Sequence, residues 1–266
     1  MTISSAGSPG GVQSIYRALD VLECVAGNGG TMAIGEIASA TALPLPTIHR
    51  LLKTLVERGY MRQLRSRRYA LGFRLVPLGV SANSMIGLQT EPILAELADV
   101  LGETANLAVL SGDHAQYVAQ APSRHSMRTF TEVGRQVELH CTGVGKAMLT
   151  QLAAADVDGI VRRVGLAGYT PTTLTTSARL HEVLEVSRAQ GYVLDEQEQE
   201  AGVRCVAVPV VTASGSVLAV SISGPMQRVT EDLVARAVPL LQDAARRLAD
   251  ELESVSGRGA MAGNPI

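Results

Sequence analysis

Between Ala33 and Gly72 the chain reads AIGEIASATALPLPTIHRLLKTLVERGYMRQLRSRRYALG. Ile48, Leu51, Leu52, Leu55 and Val56 recur at helical spacing, so one side of this stretch is expected to face a core. Thr47, His49, Arg50 and Lys53 fall off that stripe, near the start of the helix. Their chemistry suits DNA. Arg50 and His49 carry donors for base edges in the major groove, Thr47 fits a phosphate or a thymine methyl, and Lys53 and Arg58 fit phosphates. Arg65, Arg67 and Arg68 follow on a short hairpin, placed to run along the backbone or enter the minor groove. Any one of these cations alone reads as a solvated charge. Their grouping with a Pro-rich turn in one segment is what points to nucleic acid.

A second constellation lies downstream. Asp195 follows Gly191-Tyr192-Val193-Leu194, Cys205 sits inside the strand expected at Arg204–Val211, and Ser221 and Ser223 flank Ile222. Period two puts both serines on one face of a strand. Thr142 and Gly143 precede a helix whose first N–H groups offer a seat for a carboxylate. An apolar wall with a few convergent polar groups is what a small anionic or polar metabolite requires. The bland alternatives are serines bonded to backbone carbonyls, a cysteine filling core space and an aspartate bridging strands. Cys205 with His140 or His114 would be needed for a thiol nucleophile, but no spacing fixes a base or a third orienting group. Cys141 beside His140 matches no zinc spacing. Lys146, in GVGKA, lacks the rest of a phosphate loop and is expected near the pocket rim or on the surface.

These residues need scaffolds. Ser14–Ala26 is expected as a helix capped by Ser14 and ended by Asn28-Gly29-Gly30, and Met32–Thr41 as a short helix. Leu43-Pro44-Leu45-Pro46 leads into the cationic helix, which Gly59 closes. Tyr60–Leu64 and Arg68–Leu71 alternate as strands around Arg65-Ser66-Arg67. Phe73–Leu88 reads as a linker helix, and a further helix carries Pro92 in its first turn and runs to Leu101. Strands are expected at Asn106–Leu110 and Gln116–Gln120 around Gly112-Asp113, at Thr129–Val133, Gly191–Leu194, Arg204–Val211 and Val217–Ser223. Helices are expected at Gly143–Leu152, Leu180–Gln190 and Val229–Ser254. Met1–Gly11 and Gly257–Ile266 read as loose termini. The organisation is residues 12–74 as a winged helix-turn-helix, 75–90 as the linker helix, and 91–256 as an α+β domain with an antiparallel sheet and helices on one or both faces.

Composition agrees. The 266 residues have a net charge of −2, yet residues 1–75 hold nine Lys and Arg against four acids, a balance of +5, leaving −7 for the rest. A basic segment joined to an acidic one fits a DNA-reading part with a separate partner domain. Three scattered cysteines exclude a disulfide framework. With neither a signal-peptide pattern nor an apolar run of about 20 residues, the expectation is a cytoplasmic, nucleoid-associated protein without membrane, metal or cofactor.

The chain resembles the IclR-type bacterial transcription regulators from about Gln13 to Glu253. The resemblance rests on SIYRALDVLE, IGEIASATALPLPTIHRLLKTLVERGYM and YALGFRLVPLG in the first part. In the second it rests on GETANLAVL, HCTGVGKAML, GYVLDEQEQEAGVRCVAVPV and SISGP. It implies a winged helix-turn-helix, a linker helix and a GAF-like effector domain. It also implies homodimers or homotetramers on near-palindromic double-stranded operator DNA, and an inducer pocket at Thr142, Gly143, Asp195, Cys205, Ser221 and Ser223, with Met127 and Leu139 as apolar wall. Such regulators respond to small organic acids, glyoxylate and pyruvate among them. The expectation is therefore a DNA-binding regulator, a repressor controlled by a small carboxylate metabolite, and not an enzyme. Its rivals are an activator of the same build and a sensor or thiol enzyme whose first domain only dimerises.

Overall fold

The computed structural model describes residues 11–127, 129 and 131–260, with only the helical backbone described for 80–89 and 254–260. The expected loose start, Met1–Gly11, lies outside the described residues except for Gly11. Contacts divide the chain into two units, parted between Ala82 and Asn83.

The first unit contains α1 (Gln13–Gly27), β1 (Thr31–Met32), α2 (Ile34–Thr41), α3 (Leu45–Glu57), β2 (Met61–Gln63) and β3 (Tyr69–Leu71). Its three strands pair antiparallel in the order β1-β3-β2, with Met61 opposite Leu71 and Thr31 opposite Ala70. The core is small: Val21, Cys24 and Val25 from α1, Met32, Ile37 from α2, Ile48, Leu52 and Leu55 from α3, and Met61. Ile48, Leu52 and Leu55 are spaced i, i+4 and i+7, the inward row of one helix. Leu51 packs at the margin of this core, and Val56, expected inside, is 36% exposed. Ser14 is not the cap of α1; it lies within the helix, and Val12 holds the cap position. Ala42 takes a left-handed conformation at the α2–α3 turn, and Pro46 sits in the first turn of α3, where its missing N–H costs no helical bond. Gly59, at φ +76°, closes α3 while the Tyr60 N–H returns to the Leu55 carbonyl at 2.9 Å.

Helix α4 runs unbroken from Leu75 to Leu101 across the division, with Pro92 inside it. The sequence favoured two helices because proline removes one i→i−4 bond. The row Ile93, Leu94, Leu97, Ala98 and Leu101, packed into the core of the second unit, offsets that loss.

The second unit continues with β4 (Thr104–Ser111), β5 (His114–Ala121), β6 (Gln136–Val137), α5 (Gly143–Leu149), α6 (Ala154–Val164) and α7 (Ser177–Gln190). Then come β7 (Val193–Glu196), β8 (Val203–Val211), β9 (Val217–Pro225) and α8 (Glu231–Ala260). All six strands are antiparallel, in the order β6-β5-β4-β9-β8-β7. Residues of α4 and α8 cover one face, against Val206, Val208, Val220 and Ile222. Residues of α5, α6 and α7 cover the other, against Ala108, Tyr117, Ala207 and Ala219. The fold is therefore α+β with helices on both faces of the sheet. The strand expected at Thr129–Val133 is absent among the described residues of that segment. Instead Gly134 and Arg135 exchange backbone bonds with Tyr117 at 2.7 and 3.0 Å, and the short β6 follows. Strand β7 begins two residues later than expected because Gly191, at φ +78°, is still closing α7. Helix α8 runs on to Ala260, so the first residues of the expected loose tail are helical. The remainder lies outside the described residues.

Candidate DNA interface and effector site

With Ile48, Leu52 and Leu55 turned inward, helical geometry turns His49, Arg50 and Lys53 outward, and all three are exposed; Thr47 is half-buried at the helix start. His49, Arg50 and Lys53 border a shallow cleft of about 430 Å³ that Val56, Gln63 and Tyr69 also line, so Val56 belongs to this outer surface. Lys53 lies 3.9 Å from Glu57 with both side chains largely exposed. An exposed pair of this kind is weak and leaves the ammonium free to exchange partners.

The wing is a tight hairpin in which the Leu64 and Arg68 backbones bond at 2.8 Å and the Arg67 N–H reaches the Leu64 carbonyl at 2.9 Å. Arg65 and Arg67 are exposed at its tip, and Arg67 adopts φ +61°. Arg68 has a different environment. Its two terminal nitrogens donate to the Glu36 carboxylate at 3.2 and 2.9 Å and to the Thr31 carbonyl at 3.1 Å. The guanidinium fork is thus used within the protein, tying the wing to α2 and β1. Glu36 in turn accepts the Ala33 N–H at 2.8 Å. That backbone bond and Arg68 hold the Glu36 carboxyl below the usual carboxylate range.

The second constellation is assembled by strand register. Asp195 lies opposite Cys205, Cys205 opposite Ser223, and Ser223 opposite Thr104. The neighbouring row runs Ala207, Ser221, Asn106, Gln120. Side chains two apart share a face, so both rows form one patch on the α5 side of the sheet, and Asp195, Cys205, Ser221 and Ser223 are all buried. Thr142 is also buried. It caps α5 by accepting the Gly145 N–H at 3.1 Å and donates to the Glu138 carbonyl at 2.6 Å. Gly143 approaches Cys205 so closely that a Cβ there would lie 2.5 Å from the sulfur. Part of the expected carboxylate seat at the start of α5 is committed: the Gly145 N–H goes to Thr142 Oγ1 and the Lys146 N–H to the Thr142 carbonyl. Leu139 is buried, whereas Met127, the other expected wall residue, is well exposed.

Two residues that the motifs did not single out, Asn106 and Glu198, complete the patch together with Lys146. Asn106 donates to Ser223 Oγ at 3.2 Å and accepts from Thr131 Oγ1 at 2.8 Å and Gln120 Nε2 at 3.3 Å. Lys146 is fully buried, which overturns its expected place at the rim or surface. Its Nζ donates to the Leu194 carbonyl at 2.7 Å and pairs with Glu198 Oε1. The other Glu198 oxygen is buried without a partner, and the Glu198 N–H donates to Asp195 Oδ1 at 2.8 Å. Lys146 had one signal in the sequence: every other residue of GVGKAML is apolar or glycine, so its helix has no polar face to turn to solvent.

Burial raises the Asp195 carboxyl to about 7, against the opposing pull of the Glu198 N–H and Lys146. Burial likewise pushes the Cys205 thiol up to about 12 and raises that of Cys141, which donates to Gln199 Oε1 at 2.9 Å. Both thiols are neutral at physiological pH. His140 Nε2 lies 2.9 Å from the Ala167 carbonyl. No group of His, Cys, Asp and Glu among the described residues is arranged to hold a metal ion, and no helix among them is long and apolar enough to cross a membrane.

Comparison with known proteins gives these surfaces a setting. Residues 14–65 match the IclR helix-turn-helix domain and residues 80–250 the C-terminal domain of the bacterial transcriptional regulator IclR. The chain is 35% identical over 253 residues to the transcriptional repressor IclR of Escherichia coli strain K12, covering 92% of each. It is 34% identical to the HTH-type transcriptional regulator BhcR of Paracoccus denitrificans, covering 91% of this chain and 88% of that one. The crystal structure of an IclR transcriptional regulator from Alicyclobacillus acidocaldarius superposes with a TM-score of 0.80 at 27% identity, covering 91% of this chain and 99% of that one. The chain belongs to the IclR family of bacterial transcription regulators.

Proposed function

We propose that the protein is a repressor that binds its operator as a homodimer or homotetramer and is released by a small carboxylate metabolite. Arg50 and His49 read base edges, Thr47 and Lys53 hold the backbone, and Arg65 and Arg67 extend the contact along the wing. Arg68 positions the wing through Glu36. Residues 12–74 form the DNA-binding part, 75–90 the connection and 91–256 the effector domain.

The observation that carries the reading is the polar patch of Asp195, Cys205, Ser221 and Ser223, buried beside an apolar cluster on the same sheet face. Asn106 already donates to Ser223 Oγ, so the hydroxyl proton of Ser223 is free to donate to an anionic ligand. With the Cys205 thiol buried and neutral, the patch is better suited to binding than to thiol chemistry. Self-association has its own support in the first unit. Val12, Ile15 and Leu19 are 60%, 58% and 48% exposed along one side of the α1 region, and Phe73 is 73% exposed. A second copy covering this surface would supply the two-fold symmetry that a palindromic operator mirrors.

Gel-shift titration with promoter fragments from around its own gene, at two salt concentrations and with or without glyoxylate, tests this reading. Sequence-selective, salt-sensitive binding that glyoxylate weakens is expected. The paired substitution Ser221→Ala and Ser223→Ala should keep operator affinity and blunt the response. An intact response in that variant removes the patch as the effector site.

A further inference from the structure

Around Asp195 the charges do not balance. Lys146, the cation from α5, is committed to Glu198 and the Leu194 carbonyl. Asp195 receives a backbone N–H instead. The other titratable groups around it add no positive charge. Cys205 on β8, Cys141 before α5 and Tyr117 on β5 are all held in their neutral forms by burial, and Glu196, the next acid on β7, is paired with Arg204. With Asp195 and Glu198 both ionised, one ammonium faces two carboxylates, a net charge of −1 in a site shielded from water. A carboxylate ligand beside Asp195 would bring a further negative charge. Two carboxylates that share a buried site cannot both stay ionised and instead share a proton. In its acid form Asp195 matches its surroundings: the carbonyl oxygen still accepts the Glu198 N–H, and the hydroxyl can donate to the ligand in a short charge-assisted bond.

We infer that the effector site selects by charge, admitting a monocarboxylate together with one proton that resides on Asp195. This rests on the effector-site reading above and makes Asp195 the residue that sets ligand charge. The proton comes from solvent onto an Asp195 carboxylate oxygen and returns there when the ligand leaves. Affinity for a carboxylate is then flat while Asp195 is already protonated and falls about tenfold per pH unit above that range.

Isothermal titration of the full-length protein with glyoxylate, from pH 6 to 9 and in phosphate and Tris at matched pH, tests this. The wild type should take up close to one proton per glyoxylate at pH 8, with Kd weakening about tenfold per unit above pH 7. Asp195→Asn, which keeps the acceptor for Glu198, should show no uptake and a flat profile. Wild-type binding with a flat Kd and no proton uptake overturns the inference and leaves the effector site standing. No glyoxylate binding at pH 6 removes the carboxylate-site reading, and the inference with it. A ligand-free measurement provides a second check. An acid raised from about 3.9 in the unfolded chain stabilises the fold fully below that value and loses the effect as pH rises to 7. The Tm of the wild type should therefore fall relative to Asp195→Asn between pH 5 and pH 8. An unchanged difference across that range overturns the proposal.

Discussion

The two recognition surfaces are built on opposite terms. On α3 and the wing His49 and the cations Arg50, Lys53, Arg65 and Arg67 stand in water, outside the core beneath them. On the sheet the polar groups lie inside, and Asp195, Ser223 and Lys146 already make hydrogen bonds within the protein. A surface site can be altered without disturbing the fold that carries it. A buried one couples every change of chemistry to stability, and a ligand entering it has to compete with bonds the protein already makes.

The largest expected consequence of this contrast is at Lys146. Lys146→Met strands the Glu198 carboxylate in a buried setting and is expected to cost about 3–5 kcal/mol in urea unfolding. Adding Glu198→Leu should recover most of that loss. If the double variant is no more stable than the single, the pair does not account for the cost. Next is Arg50→Ala, expected to weaken specific operator binding by about 1–3 kcal/mol while leaving unfolding within about 0.5 kcal/mol of wild type. Equal losses of stability at Arg50 and Lys146 would erase the distinction between the surfaces. Arg67→Gly relieves a left-handed backbone and should raise stability by about 1 kcal/mol while weakening operator binding. A gain in both would free the wing tip from any DNA role. The smallest effect is Arg65→Ala, which should weaken binding to all sequences alike and reduce the salt slope by about 1. A change of sequence preference instead would make Arg65 a base reader.

The same contrast governs what the sequence could reveal. Exposed cations beside an apolar row are legible because helical periodicity sorts them, and α3 lies close to where Ile48, Leu52 and Leu55 place it. The buried patch was legible only in part. Ser221 and Ser223 share a face by period two, but the register that sets Asn106 beside Ser221 is a long-range pairing no local pattern contains. Glu198 was hidden because DEQEQE reads as a solvated acidic run, whereas its carboxylate turns inward to Lys146. Among the elements, α6 was missed because Ala153, in its cap position, makes no side-chain cap bond and Gly159 lies inside it. β1 is two residues long, too short for any period. Pro92 argued for a helix start and was overridden by packing. Arg68 was grouped with the wing cations by composition, yet its partner Glu36 lies 32 residues earlier in the chain.

The order of the six-stranded sheet carries one more consequence. The strands of eight and nine residues occupy its middle, while its margins are β7 with four residues and β6 with two. Backbone bonds from Gly134 and Arg135 to Tyr117 extend the cover along β5. The unpaired backbone left to template strand addition by another molecule is correspondingly short. A chain that is 46% hydrophobic thus keeps its four longest strands enclosed between their own neighbours.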